Sequence, residues 1–305
     1  MVTLWGHDIS WFCWFCAAGK SFFVGITLLI FSILLPIFHK RVWSSIAKYS
    51  LAGIAIFLII LSATPLAWLF YTSWIISILI FFLLVSVRTS CTLRLLRVFQ
   101  IIALSLCVIA ILLELPFHLK PTMPKGKFKK LYIIGDSISA GIGDRDENTW
   151  PKILREKYAI DVIDLSLPGA TVTSAVEQAD KVNFQDAVVL LEIGGNDFFV
   201  PTPYELFQQD LKQILKRVKN AKRAVIMLEL PLQPQYLVYG AIQRRVAKEF
   251  GATLVPKNFI VSVLASKGAT VDLAHLSPYG HELMAEKIWA LLKPCFYAQD
   301  TEVEN

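Results

Sequence analysis

The chain has 305 residues, enough for two domains, and its 30 Lys+Arg against 24 Asp+Glu give a formal net charge of +6. That excess sits in one part: residues 1–120 hold eight basic and two acidic side chains, and residues 121–305 hold 22 of each. The second part is neutral, which argues against a basic nucleic-acid-binding face, and five cysteines, four of them before residue 120, make no disulfide framework.

The chain opens on apolar sequence. "CWFC" at Cys13–Cys16 has redox or metal spacing. No second Cys/His pair stands near it, and Ala17 follows where haem attachment needs a histidine. Apolar filler is the better reading, because a buried thiol behaves as a small hydrophobe. Four apolar runs follow, near 21–38, 47–65, 67–87 and 98–117, each about the 20 residues that a bilayer crossing needs. Lys20 leads the first, and no small-x-small cleavage site closes it, so it reads as a retained span and not as a signal peptide. Basic residues cluster between the runs, as in loops that flank membrane spans. Trp68, Tyr71 and Trp74 lie in and just after the turn "TPLAW", where an aromatic belt fits. Glu114 is the one acidic residue near a span and lies close to its end, so the spans read as an anchor more than as a conduit.

Residues 118–130, "HLKPTMPKGKFKK", are polar and carry two prolines, so the stretch reads as a tether. The expected organisation is a transmembrane region over 1–120, a tether over 121–130, a folded domain over 131–295 and a polar tail over 296–305. Within the domain, apolar strand candidates at 131–135, 160–165, 187–193, 223–230 and 252–256 alternate with helical patterns near 148–158, 172–181, 203–219 and 237–250. A last helix starts at Ser277 as N-cap, with Pro278 in its first position. Near-continuous apolar strands between helices predict a parallel sheet covered on both faces.

"LYIIGDSISAGIGD" places Ser137 directly after the first of these strands, where ligands bind in parallel α/β sheets. A serine nucleophile needs a base, a group that orients the base, and donors for an oxyanion. Two histidines lie beyond the tether, His275 and His281. Asp272 precedes His275 by three residues in "VDLAHLSP", a spacing that lets a turn bring the carboxylate to one ring nitrogen; an ordinary polar loop has the same appearance. His281 falls inside the last helix and reads as a surface or packing residue. Asn196 in "EIGGNDFF" and Gly169 in "LPGAT" are candidate oxyanion donors, although Gly and Asn are also plain turn residues. The loop "PLQPQYLVYG" after the fourth strand either lines an acyl pocket or packs on the domain.

"GDSIS", the glycine of "PGAT", "GGND" and "DLAH" occur in order over about residues 130–293 and resemble the four motif blocks of the SGNH, or GDSL-type, hydrolases. The likeness is to their thioesterase, lysophospholipase and arylesterase branch. It implies a flavodoxin-like three-layer sandwich with a five-stranded parallel sheet, here preceded by an all-α membrane region. It also implies Ser137 as nucleophile, His275 as base and Asp272 as its orienter. The oxyanion hole would come from Gly169, Asn196 and the Ser137 N–H, with Asp136 and Asp197 bracing the loops. Two departures stand out. Ile138 replaces the usual leucine, a change of similar volume. Leu276 and Ser277 separate His275 from Pro278 where many members have His-Pro, so a differently shaped histidine loop is expected. No G-x-S-x-G elbow appears, which excludes the α/β-hydrolase arrangement.

The expected protein is a membrane-anchored serine hydrolase acting on an acyl ester or thioester, lipid included, with no metal or cofactor implied. It would lie in the plasma or inner membrane with its catalytic domain outside the cytoplasm. The rival readings are an acyltransferase or deacylase acting on a cell-envelope glycan, and a non-catalytic membrane assembly protein. Neither the acyl group nor the oligomeric state is legible.

Overall fold

The computed structural model describes residues 3–4, 7–8, 10–38, 43–87, 92–142, 147–272 and 274–297. Lys40, Arg41 and Arg88 of the expected basic loops, and the tail beyond residue 297, lie outside the described residues. The chain divides into two compact units, one of residues 12–119 with 232–237 and one of the remainder.

The first unit is helical: α1 (Ser10–Ala17), α2 (Lys20–Phe38), α3 (Trp43–Leu61), α4 (Trp68–Ser86) and α5 (Leu93–Glu114), closed by a 3₁₀ turn at Leu115–His118. Gly25 lets α2 and α3 pack closely, since a Cβ there would sit 2.8 Å from the Ala55 carbonyl oxygen. Phe22, Ile26, Ile59, Phe81 and Cys107 meet in the common core. Three of its polar side chains are paired: Ser32 Oγ donates to the Lys48 carbonyl at 2.6 Å, Gln100 Nε2 to the Ile33 carbonyl at 2.9 Å, and Glu114 meets His118 Nε2 at 3.1 Å. Phe57, Leu69, Leu79 and Leu112 instead face outward, which suits a lipid surround, where only backbone and polar groups need internal partners.

Among the described residues, Trp68–Ser86 and Leu93–His118 are long and apolar enough to cross a membrane. α1 and α2, which meet at 84°, make a third span if the bent pair is counted as one. The sequence predicts four. The remaining expected span falls on α3 (Trp43–Leu61), of which the stretch Ala47–Leu61 is a shorter apolar helix among the described residues. Trp68 is exposed as a belt residue would be, but Trp74 turns into the helical core.

The second unit is built on a five-stranded, wholly parallel sheet: β1 (Lys130–Gly135), β2 (Asp161–Asp164), β3 (Ala187–Glu192), β4 (Arg223–Leu228) and β5 (Thr253–Val255), in the order β2-β1-β3-β4-β5. This is the flavodoxin-like order. Every residue of β3 is buried, as its unbroken apolar run demands of a central strand covered on both faces. The intervening helices are a short α6 (Ser137–Ala140), α7 (Trp150–Tyr158), α8 (Val172–Asp180), α9 (Tyr204–Val218) and α10 (Leu237–Phe250), followed by α11 (Asn258–Leu264) and α12 (Pro278–Phe296). Right-handed crossovers place α7 on one face and α8–α10 on the other. Accordingly α7 and α11 pack against α12, α8 packs against α9, and Lys212 of α9 pairs with Glu249 of α10. α11 was not expected; its seven residues, "NFIVSVL", are too short to show a helical period.

Residues 126–129 are not a free tether. Gly126 N–H and Phe128 N–H donate to the carbonyls of Pro294 and Cys295, and Lys129 N–H to that of Asp186, so the segment is laid onto the sheet domain before β1 begins.

Candidate active site

The strand order reverses between β1 and β3, and it is above the carboxyl ends at such a switch point that ligands bind in parallel α/β sheets. Ser137 follows β1 there and Asn196 follows β3. Asp136 caps the one-turn helix α6, its Oδ1 accepting the Ile138 N–H at 3.0 Å. Ser137 is the first residue of that turn, so its N–H lies outside the helical ladder and points away from it. Gly141, at φ 81°, ends the turn with its N–H on the Ser137 carbonyl. Gln178 of α8 grips the strand end from below: Gly135 N–H donates to its Oε1 at 3.0 Å, and its Nε2 donates to the Gly135 carbonyl at 3.1 Å.

Gly169 has φ 75°, with open space where a Cβ would stand, so conformation and not crowding calls for glycine. Its loop is tied to the strand end by Leu167 N–H on the Gly135 carbonyl at 3.2 Å. Asn196 Nδ2 donates to the Ala170 carbonyl at 3.0 Å, which fixes the amide beside Gly169 and leaves its second hydrogen for another acceptor. Asp197 is buried, and its Oδ2 accepts the Val172 N–H at 3.0 Å, joining the "GGND" turn to the start of α8. Burial raises the Asp197 carboxyl above the usual carboxylate range, against the opposing hydrogen bonds of Thr202 and Val172.

Before α12, Val271 N–H bonds the His275 carbonyl and Thr270 pairs with Leu276, giving the histidine loop a hairpin neck that takes up the extra residues before Pro278. Asp272 Oδ2 lies 2.7 Å from His275 Nδ1, and Oδ1 accepts the N–H groups of Ala274 and His275, each at 2.7 Å. Burial pushes the Asp272 carboxyl up, but these hydrogen bonds together outweigh it and hold it down at about 2. An ionised Asp272 keeps the His275 proton on Nδ1, which leaves Nε2 with a lone pair for a proton from a neighbouring hydroxyl. Burial raises the Asp136 carboxyl to about 6, against the Ile138 N–H hydrogen bond and a weaker favourable interaction with His275.

His281 is a different kind of residue. It is buried, its Nδ1 accepts the Trp150 N–H at 3.2 Å, and its Nε2 meets Glu147 Oε1 at 3.0 Å. Both ring nitrogens are thus committed to packing α7 against α12. Of the stretch "PLQPQYLVYG" after β4, Tyr239 lies in the first turn of α10 and packs on the domain, its ring against Phe198 and Phe207 and its hydroxyl on the Thr202 carbonyl at 2.6 Å. Sequence reasoning missed Gln178 and Glu192. Gln178 carries no local signal, but a charged residue closing the apolar run "AVVLLE" was visible.

Residues 133–283 match the family described as GDSL-like Lipase/Acylhydrolase. The Escherichia coli (strain K12) thioesterase 1/protease 1/lysophospholipase L1 is 31% identical over 135 residues, 41% of this chain and 65% of its own length, so the chain spans just under two thirds of that relative. Esterase TesA of Pseudomonas aeruginosa is 27% identical over 181 residues, 54% of this chain and 88% of that protein. Among solved structures, the psychrotrophic esterase EstA from Pseudoalteromonas sp. is similar at 23% identity and a TM-score of 0.49, covering 54% of this chain and 97% of that one.

Proposed function

We propose, with residues 133–283 a domain of the GDSL-like lipase/acylhydrolase family, that this chain is a membrane-anchored serine hydrolase that cleaves acyl esters or thioesters. The observation that carries the reading is the Asp272–His275 pair, the imidazole Nδ1 held 2.7 Å from the Asp272 carboxylate. In the proposed reaction Ser137 Oγ attacks the acyl carbon while His275 Nε2 takes its proton. The carbonyl oxygen, now negative, is received by the Ser137 N–H, the Gly169 N–H and the free Asn196 amide hydrogen. Collapse of the tetrahedral adduct expels the alcohol or thiol, which takes the proton back from His275. Water then attacks the acyl-Ser137 ester by the same route, releasing the acid and the free serine.

The surroundings favour an acyl substrate. Ile142, Leu167, Phe199 and Val271, one on each of the loops that bear Ser137, Gly169, Asn196 and His275, all present exposed apolar side chains. The relatives named as thioesterase, lysophospholipase and esterase point the same way. The apolar helices would hold this domain at a membrane, where lipid esters are at hand, and we place the domain on the outer side. The test is hydrolysis of p-nitrophenyl esters of graded chain length by the full chain in detergent. Ser137→Ala and His275→Ala should each abolish it and the double variant should be no worse, since such groups act as a unit. Undiminished hydrolysis by Ser137→Ala would end this assignment.

A further inference from the structure

β3 is buried along its whole length, and five of its six residues are Ala, Val or Leu. The sixth is Glu192, 1% exposed. A carboxyl in such a place is costly unless hydrogen bonds satisfy it, so its partner shows what it is for. Glu192 Oε2 accepts the Ser139 hydroxyl at 2.7 Å. Ser139 stands two residues after Ser137, in the same one-turn helix. Gly135, paired with Glu192 across the ladder, makes room for the arrangement: a Cβ there would lie 2.7 Å from Ser139 Oγ and 3.1 Å from the Glu192 carbonyl oxygen.

Resting on the serine-hydrolase reading above, we propose that Glu192 is a positioning residue for the nucleophile, clamping the one-turn helix 137–140 through Ser139 Oγ. Its reach is to the turn that carries Ser137, not to substrate. The central strand is the most rigid support in the domain, and the clamp passes that rigidity to a one-turn helix too short to hold itself. A misplacement of about 1 Å at a reacting atom costs on the order of a hundredfold in rate, so this is where a buried acid repays its cost. Burial first, and the neighbouring Asp136 charge second, hold the Glu192 proton on well above the usual carboxylate range. Glutamine keeps the shape of the side chain, and its amide oxygen can accept the Ser139 hydroxyl as Glu192 Oε2 does.

The test uses the full chain in detergent, with a short-chain p-nitrophenyl ester for kcat and KM, a fluorophosphonate for the rate of Ser137 modification, and thermal melting as the folding control. Glu192→Ala should lower kcat and the phosphonylation rate together by about thirtyfold or more with KM nearly unchanged. Glu192→Gln should restore both to within about threefold of the parent, and Ser139→Ala should show a smaller loss of the same kind. Adding Ser139→Ala to Glu192→Ala should cost little more, because the two share one interaction. A folded Glu192→Ala with parental kcat overturns the proposal, as does a folded Glu192→Gln as slow as the alanine variant. If Glu192→Ala does not fold, Ser139→Ala decides: a fall in kcat at constant KM supports the clamp, and an unchanged kcat overturns it. If the parent protein neither hydrolyses ester nor takes the phosphonate, the serine-hydrolase reading itself has failed and the clamp falls with it.

Discussion

Gly280→Ala adds one methyl group in the first turn of α12, at a place where none fits. The new Cβ would stand 1.9 Å from the Ala269 carbonyl oxygen and 2.9 Å from its carbon. Real Cβ contacts do not fall below 3.0 Å, so Ala269 and α12 must part by at least 1.1 Å. That carbonyl accepts the Ser277 N–H at 2.9 Å, and the movement breaks the bond, at about 1 kcal/mol. Overpacking adds about 1–3 kcal/mol, against a gain of roughly 0.5–1 kcal/mol from replacing glycine in a helix. The net loss is about 1–3 kcal/mol, and Tm should fall by about 3–10 °C for a domain of this size. Activity should fall further than stability does. Ala269 and Ser277 form the neck of the loop that carries Asp272 and His275, and Ser277 Oγ also holds the Gly268 carbonyl at 2.6 Å. Opening that neck displaces the imidazole by an amount that costs on the order of a hundredfold in kcat. Melting curves and ester hydrolysis, measured well below the variant's Tm, check both parts. A variant that melts within about 1 °C of the parent and keeps its kcat would refute the packing argument.

Asn196→Ala should lower kcat by about a hundredfold with little change in Tm, since the half-buried amide donates outward as well as to Ala170; a parental kcat in the folded variant removes it from the oxyanion hole. His281 gives a pH effect whose sign is fixed by its burial, which lowers its pKa below the usual histidine value against the pull of Glu147. Below that usual value the unfolded chain binds a proton that the folded one does not, so stability falls as pH drops through the window between the two, and above it His281 contributes no slope. Melting should therefore lose more temperature between about pH 7 and pH 5 in the parent than in His281→Gln, whose kcat at low temperature should stay within a few-fold; loss of chemistry without loss of stability would make His281 the base. Protease added to intact spheroplasts should remove the catalytic domain, and a protected domain would reverse the proposed orientation.

Much of the sheet was legible because central parallel strands, covered on both faces, are near-continuous apolar runs, as "AVVLL" and "AVIML" are. The chemistry of Ser137, Gly169, Asn196, Asp272 and His275 was legible as candidates because special turns need particular residues, and Gly169 at φ 75° is one such. Other features have no local signature. The inward turn of Trp74, the docking of residues 126–129 and the seven-residue α11 each depend on what they pack against. His281 is the clearest instance. Its sequence context says only "helix, first turn", and its role comes from Trp150 and Glu147, both more than 130 residues away.

The amino-acid sequence by itself determined the strand and helix alternation, the neutral domain behind a basic apolar region, and the residue types able to act as nucleophile, base and oxyanion donors, because periodicity, charge and turn chemistry are local properties. Only the tertiary structure decided which groups meet. The β2-β1-β3 order sets the turns of Ser137 and Asn196 at neighbouring strand ends and puts the Glu192 carboxyl against Ser139 in the Ser137 turn. Those pairings join residues 53 or more positions apart, and no local preference encodes them; they follow from the way the buried strands must stack to leave their apolar faces dry.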